Sequence, residues 1–153
     1  MRWLLFGVAG LAIVIAIVVI VGSTLPRNHI ASRTARFRHS PEDVWAALTR
    51  GLDRSSVPVD TVERRPPSRL VTRVKESERN FGGTWTIEIA PGAQPSGAAD
   101  GGSIVTITED GWVANPVFRF VSRFVIGHHA TIDGLLKEVA ASLGEGPLAL
   151  DGR

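Results

Sequence analysis

The chain contains no cysteine and no tyrosine. The first absence excludes disulfides, thiolate metal sites and a cysteine nucleophile. The second removes a common acid–base group. No G-x-S-x-G turn and no glycine-rich phosphate loop occurs, so the usual serine-nucleophile and nucleotide-binding signatures are missing as well. Histidine is sparse at four, and the adjacent His128 and His129 would point about 100° apart on a helix. No metal site and no cofactor is expected. Acids are scarce early: the first along the chain is Glu42.

What is present is uneven. Residues 1–79 hold 13 Lys or Arg against 7 Asp or Glu, and residues 80–153 hold 4 against 8. A basic half suits an anionic lipid surface, at about 1 kcal/mol per basic residue held close to it. A solvated arginine-rich surface accounts for the same count. The basic residues lie on no basic helix and are not interleaved with aromatics, so no nucleic-acid partner is expected.

Trp3 to Val21 (WLLFGVAGLAIVIAIVVIV) is a run of 19 residues without a charge. As a helix it spans roughly 28 Å, close to the hydrocarbon thickness of a bilayer. The run is too long for a signal peptide's apolar region, and Val21-Gly22-Ser23 makes a poor cleavage site. Trp3 sits where an interfacial aromatic belongs. Residues 1–22 are therefore read as a single-pass anchor in the cell membrane, reaching it through residues 3–21. Arg27, Arg33, Arg36 and Arg38 all precede Glu42, against Arg2 and the amino terminus on the other side. That excess favours a cytoplasmic domain.

Residues 23–29 read as a linker, residues 30–143 as the folded domain and residues 144–153 as a flexible tail. Ile30 to Arg38 has the pattern of a strand. Ser40-Pro41-Glu42-Asp43 is a helix start, with Ser as the N-cap and Pro at the first helical position. Val44, Trp45, Leu48 and Leu52 follow at helical spacing. Val57 to Arg64 and Arg69 to Lys75 are strands joined at Pro66-Pro67. After Gly82-Gly83, Trp85, Ile87 and Ile89 alternate with Thr84, Thr86 and Glu88, the pattern of a half-buried antiparallel sheet. Pro91 to Gly102 is a hairpin tip and Ser103 to Asp110 the next strand. Asn115-Pro116 opens one long helix to about Leu143, with an apolar stripe along it.

These stretches in this order resemble the SRPBCC superfamily, the START-like and polyketide cyclase/dehydrase-like helix-grip domains. The resemblance is carried by SPEDVWAALT (Ser40 to Thr49), PPSRLVTRV (Pro66 to Val74), FGGTWTIEIAP (Phe81 to Pro91) and the run from Val105 to Val139. It implies an α+β fold with an antiparallel sheet gripping a long C-terminal helix, and a ligand cavity between them. The chain departs from the family after its first helix, where a second short helix and two edge strands are missing. A sheet of about five strands remains, with a shortened edge through which a second copy can pair as a homodimer.

Trp45, Trp85, Ile87, Phe120, Phe124 and His128 are the candidates to line such a cavity. Glu109 shares the face of Val105 and Ile107, and an inward carboxylate needs a partner. Arg119 and Arg123, four apart on the following helix, are the expected partners in an ion pair. His128 falls on the apolar stripe, whereas His29 and His39 read as surface residues. Trp112 reads as a packed loop anchor, or, if exposed, as a membrane-facing residue or one at the mouth of the pocket. Phe118 and Ile126 widen the apolar surface of the helix beyond one stripe, which points to an oligomer or a membrane-apposed face.

Three functions fit. The first is non-catalytic binding of a hydrophobic small molecule or lipid near the bilayer. The second is a cyclase- or dehydratase-like enzyme using Glu109 or His128. The third is a structural or interaction protein whose cavity has closed.

Overall fold

The structure is a computed structural model and describes residues 2–54, 58–75, 81–92, 102–127, 129–146 and 148–152. The elements in chain order are α1 (Arg2–Thr24), β1 (Asn28–Phe37), α2 (Pro41–Asp53), β2 (Val59–Arg65), β3 (Arg69–Val74), β4 (Phe81–Pro91), β5 (Ser103–Val113), α3 (Pro116–Val121), a π-helical turn (Ser122–Ile126), α4 (Ala130–Ser142) and β6 (Leu150–Gly152). The architecture is α+β. Six strands form one antiparallel sheet in the order β2-β3-β4-β5-β1-β6.

The chain enters in β1 and crosses by way of α2 to the far edge. It then returns strand by strand, so that β5 closes beside β1. The α2 cap is the one its residues dictate: Ser40 Oγ accepts from the Asp43 amide, and Pro41 takes the first helical position. α2 and α4 pack together on one face of the sheet. Alternation decides which side chains meet them. Ala31, Ala35 and Phe37 of β1, Ile87 and Ile89 of β4 and Val105 and Ile107 of β5 are buried against Val44 and Leu48 of α2 and Ile132, Leu136 and Val139 of α4. The opposite face is polar, with Ser32 bonded to Thr108 and Thr34 to Thr106, each at 3.1 Å across the β1–β5 ladder.

The C-terminal half differs from the sequence expectation in three ways. The single long helix is broken. The Gly127 amide donates to the Ser122 carbonyl five residues back, the bond that makes a π turn, and Gly127 then adopts φ +82°. Only glycine takes that conformation without strain, so the helix ends there and α4 starts afresh. The tail is not frayed: Leu150 to Gly152 pair with Ala35 to Arg33 as a sixth strand. Ahead of that strand, Glu145 accepts from the Arg38 amide at 2.8 Å and lies 2.7 Å from His39 Nδ1. β5 also runs on to Val113, so Trp112 belongs to a strand rather than a loop.

Smaller shifts follow from pairing. α1 continues to Thr24 and β1 starts at Asn28, which shortens the linker. β4 begins at Phe81 and so includes Gly82 and Gly83. β2 starts at Val59 and carries a bulge between Thr61 and Glu63. The predicted strand start at Val57 and most of the hairpin tip lie outside the described residues. Beyond the bulge, Arg64 turns its guanidinium over the Trp45 ring at 5.9 Å. The bulge and the charged Asp60, Arg64 and Arg65 make β2 a poor template for further strand pairing.

α1 is the one described helix long and apolar enough to cross a membrane. Its main partner is α3. The half-buried Val18, Val21 and Leu25, with buried Gly22, mark the face it turns to that neighbour. A Cβ on Gly22 would lie only 2.0 Å from the Pro116 carbonyl oxygen.

Candidate functional site

The sheet and the helices part company at one end, and a cavity of about 320 Å³ lies there. Its position follows from where bulk is missing. The sheet contributes Gly82 and Gly83, and the helical layer contributes the break at Ser122, Ile126, Gly127 and Thr131. Trp85, Val59, Val74, Phe81 and Val113 supply apolar wall. Thr72, His29 and Glu109 supply polar groups. A mostly apolar concavity with a few polar groups is the usual form of a small-molecule site, and this volume is near the lower end of the usual range.

Backbone approach shapes the floor. Gly83 pairs with Gly111 in the β4–β5 ladder. A Cβ on Gly83 would lie 2.6 Å from the Asp110 carbonyl oxygen and 2.8 Å from the Gly111 Cα. Two facing glycines therefore let these strands approach where side chains would hold them apart. On the neighbouring pair the Trp112 ring lies against Gly82, within 2.8 Å of where a Cβ would be. Trp112 is thus both packed and part of the cavity wall.

Glu109 turns inward, in phase with Val105 and Ile107. Its partner is not an arginine. His29 stands opposite Gly111 in the β1–β5 ladder, and its Nε2 is 3.6 Å from Glu109 Oε1, an ion pair whenever the imidazole is protonated. Gly111 makes room for both: a Cβ there would meet His29 Cε1 at 2.7 Å and Glu109 Oε1 at 3.2 Å. The surface assignment of His29 is therefore corrected. Its phase with Ala31, Ala35 and Phe37 was the available signal, and register with β5 supplies the rest.

The two arginines expected to neutralise Glu109 are placed elsewhere. Arg119 is buried, at 8% exposure. Its Nη1 donates to the Leu25 carbonyl at 2.7 Å and its Nη2 to the Ala114 carbonyl at 3.3 Å. It fastens α3 to the exit from α1. Arg123 is exposed and lines a second cleft of about 330 Å³ with Leu25, Arg27 and Arg119.

The remaining candidates divide. Trp85 and Glu109 line the cavity together. Trp45 of α2 and Ile87 of β4 are buried in the core between helix and sheet and do not border it. Phe120 and Phe124 pack at a tilt, 4.9 Å between ring centroids and 49° between planes, and Phe124 is 59% exposed. Neither borders the cavity. His128 lies outside the described residues. A further polar tie escaped the sequence reading: Arg33 of β1 points inward and binds Asp133 of α4 at 2.9 Å.

Neither the family models nor the curated proteins compared with this sequence match it. Among solved structures, the chain is similar to a conserved protein from Geobacillus kaustophilus. That similarity has a TM-score of 0.52 at 12% identity and covers 76% of this chain and 95% of that one. A protein from Rhodobacter sphaeroides is similar with a TM-score of 0.49 at 15% identity, over 78% of this chain and 99% of that one. At such identity the Geobacillus protein shows a shared fold and nothing of function.

Proposed function

We propose that this chain is a single-pass membrane-anchored domain of the helix-grip kind that takes up a hydrophobic small molecule or lipid near the bilayer, without transforming it. The observation that carries the reading is the cavity itself: about 320 Å³, walled mainly by apolar side chains, between the sheet and the break in the C-terminal helices. α1, apolar for the thickness of a bilayer, supports a tether that holds this cavity where apolar ligands partition. The arginines after α1 favour a domain on the cytoplasmic side.

Trp85 and Trp112 line the cavity and serve as donors for energy transfer to a bound naphthylamine dye. In the full chain reconstituted in lipid nanodiscs, a saturable transfer signal is expected. Thr72→Phe places a ring in the void and removes the signal. Equal transfer in the variant would assign the dye to the bilayer and defeat the reading.

A second reading, acid–base chemistry on an apolar substrate, is favoured by one observation. His29 and Glu109 share a wall of the cavity, and a carboxylate beside an imidazole is a recurrent acid–base arrangement. Turnover of an apolar carbonyl compound that is lost in Glu109→Gln, with dye binding intact, would establish it.

A further inference from the structure

We infer that α3 and the π turn form a second membrane contact, lying in the interfacial layer of the bilayer beside α1, with lipid headgroup phosphates seated in the arginine-lined cleft at the α1–β1 junction. The inference rests on the reading of α1 as a membrane span.

Geometry sets the depth. The face of α1 that α3 covers runs from Val18 to Gly22, inside or at the end of the apolar run. Four residues of helix put α3 roughly 6 Å along the span from its end. A segment packed there meets the boundary between headgroups and acyl chains. Its composition fits that layer. Phe118, Phe124, Val125 and Ile126 are between 52% and 71% exposed, on a segment whose main partner is α1. Interfacial helices bury such a face about 5–10 Å into the headgroup–acyl boundary.

The cleft beside it carries the charge. Arg27, Arg119 and Arg123 line it, and no acid is among its lining residues. Arg119 is more than nine-tenths buried, forms no ion pair among the described residues, and has an Nε without a hydrogen-bond partner. A phosphate oxygen answers both the uncompensated guanidinium charge and the open N–H. Arg27 and Arg123 are exposed at the rim, where headgroups reach them. The cavity bordered by Ser122, Ile126 and Gly127 then has one wall in the membrane, giving an apolar ligand a route that avoids water.

The absence of native cysteine makes the test direct. Single cysteines replace Val14, Phe118, Val125 and, as a water-exposed control, Arg73 in the full chain. Each is spin-labelled in vesicles of phosphatidylcholine with phosphatidylglycerol. Collision with oxygen and with a water-soluble nickel chelate reports depth. The expected result is a deep label at 14, an aqueous one at 73, and shallow membrane positions at 118 and 125, with nickel accessibility several-fold below that at 73. Labels at 118 and 125 as aqueous as 73, with 14 still deep, would overturn the inference and leave the anchor standing. An aqueous label at 14 would overturn the anchor and the inference together. Labels at 118 and 125 shielded from both reagents would mean that a second protein copy covers the face, and would also overturn it. Arg27→Gln with Arg123→Gln is expected to move 118 and 125 towards water while 14 stays deep; unchanged depths would remove the headgroup contact.

Discussion

His29 and Glu109 face each other over the bare Cα of Gly111, their Nε2 and Oε1 atoms 3.6 Å apart. The arrangement depends on register. β1 and β5 pair so that His29 is opposite Gly111, and Glu109 lies two residues back on the same face. A side chain at 111 would occupy the volume of the imidazole. The polar end of the cavity is therefore a property of three residues rather than of one acid.

Gly111→Ala and Gly83→Ala separate two kinds of crowding. At 111 the added methyl meets the end of a His29 side chain that is able to rotate, so about 1 kcal/mol of stability is expected to be lost. The larger effect is displacement of His29 from Glu109, visible as a shift of the His29 ring resonances. At 83 the methyl meets backbone of the neighbouring strand, and about 3 kcal/mol is expected. Denaturant midpoints of the two variants measure the difference. An equal cost would contradict the distinction.

Arg33→Met tests the tie between the sheet and α4. Both partners are about three-quarters buried, with side-chain exposures of 21% and 24%, so solvent screening is incomplete. A loss of about 1–2 kcal/mol is expected, and a double-mutant cycle with Asp133→Asn should return a coupling of about 1 kcal/mol. A coupling near zero would make the contact incidental.

Leu48→Ala removes a fully buried side chain at the centre of the layer shared by α2, α4 and the sheet. The expected cost is about 2–5 kcal/mol. Trp85→Ala, at a half-buried cavity wall, is expected to cost less than its size suggests, because the void already lies against it. Chemical unfolding of both variants orders them. A larger loss at Trp85 would mean that the cavity is filled in solution.

Arg119→Met tests how α1 is joined to the domain. The part-buried carbonyls of Leu25 and Ala114 lose their donor, at about 1 kcal/mol each. The expected result is a domain that still folds but is cut more rapidly by protease near Leu25. Unchanged protection there would show that α1 and α3 are held together by packing alone.

The parts of this structure that were legible in the sequence are those governed by short periods. Alternation identified the inner faces of β4 and β5, including the inward direction of Glu109, and the Ser40 and Asn115 caps located two helix starts. The rest depends on contacts between distant residues. The partner of Glu109 is 80 residues away in β1, and no local pattern selects His29 over the nearer Arg119 and Arg123. The break at Gly127 was masked because apolar residues continue at helical spacing on both sides of it. β6 has only three residues, and its strand character comes from the open edge of β1 beside it.

The most direct test of the account is native mass spectrometry of the full chain released from nanodiscs made of a membrane lipid extract, compared with Thr72→Phe. Annular lipids around α1 should leave both proteins at the same collision energy. The account predicts that the parent chain then retains one apolar molecule per copy and the variant none. Two bare proteins, stripped together at the same energy, would contradict it.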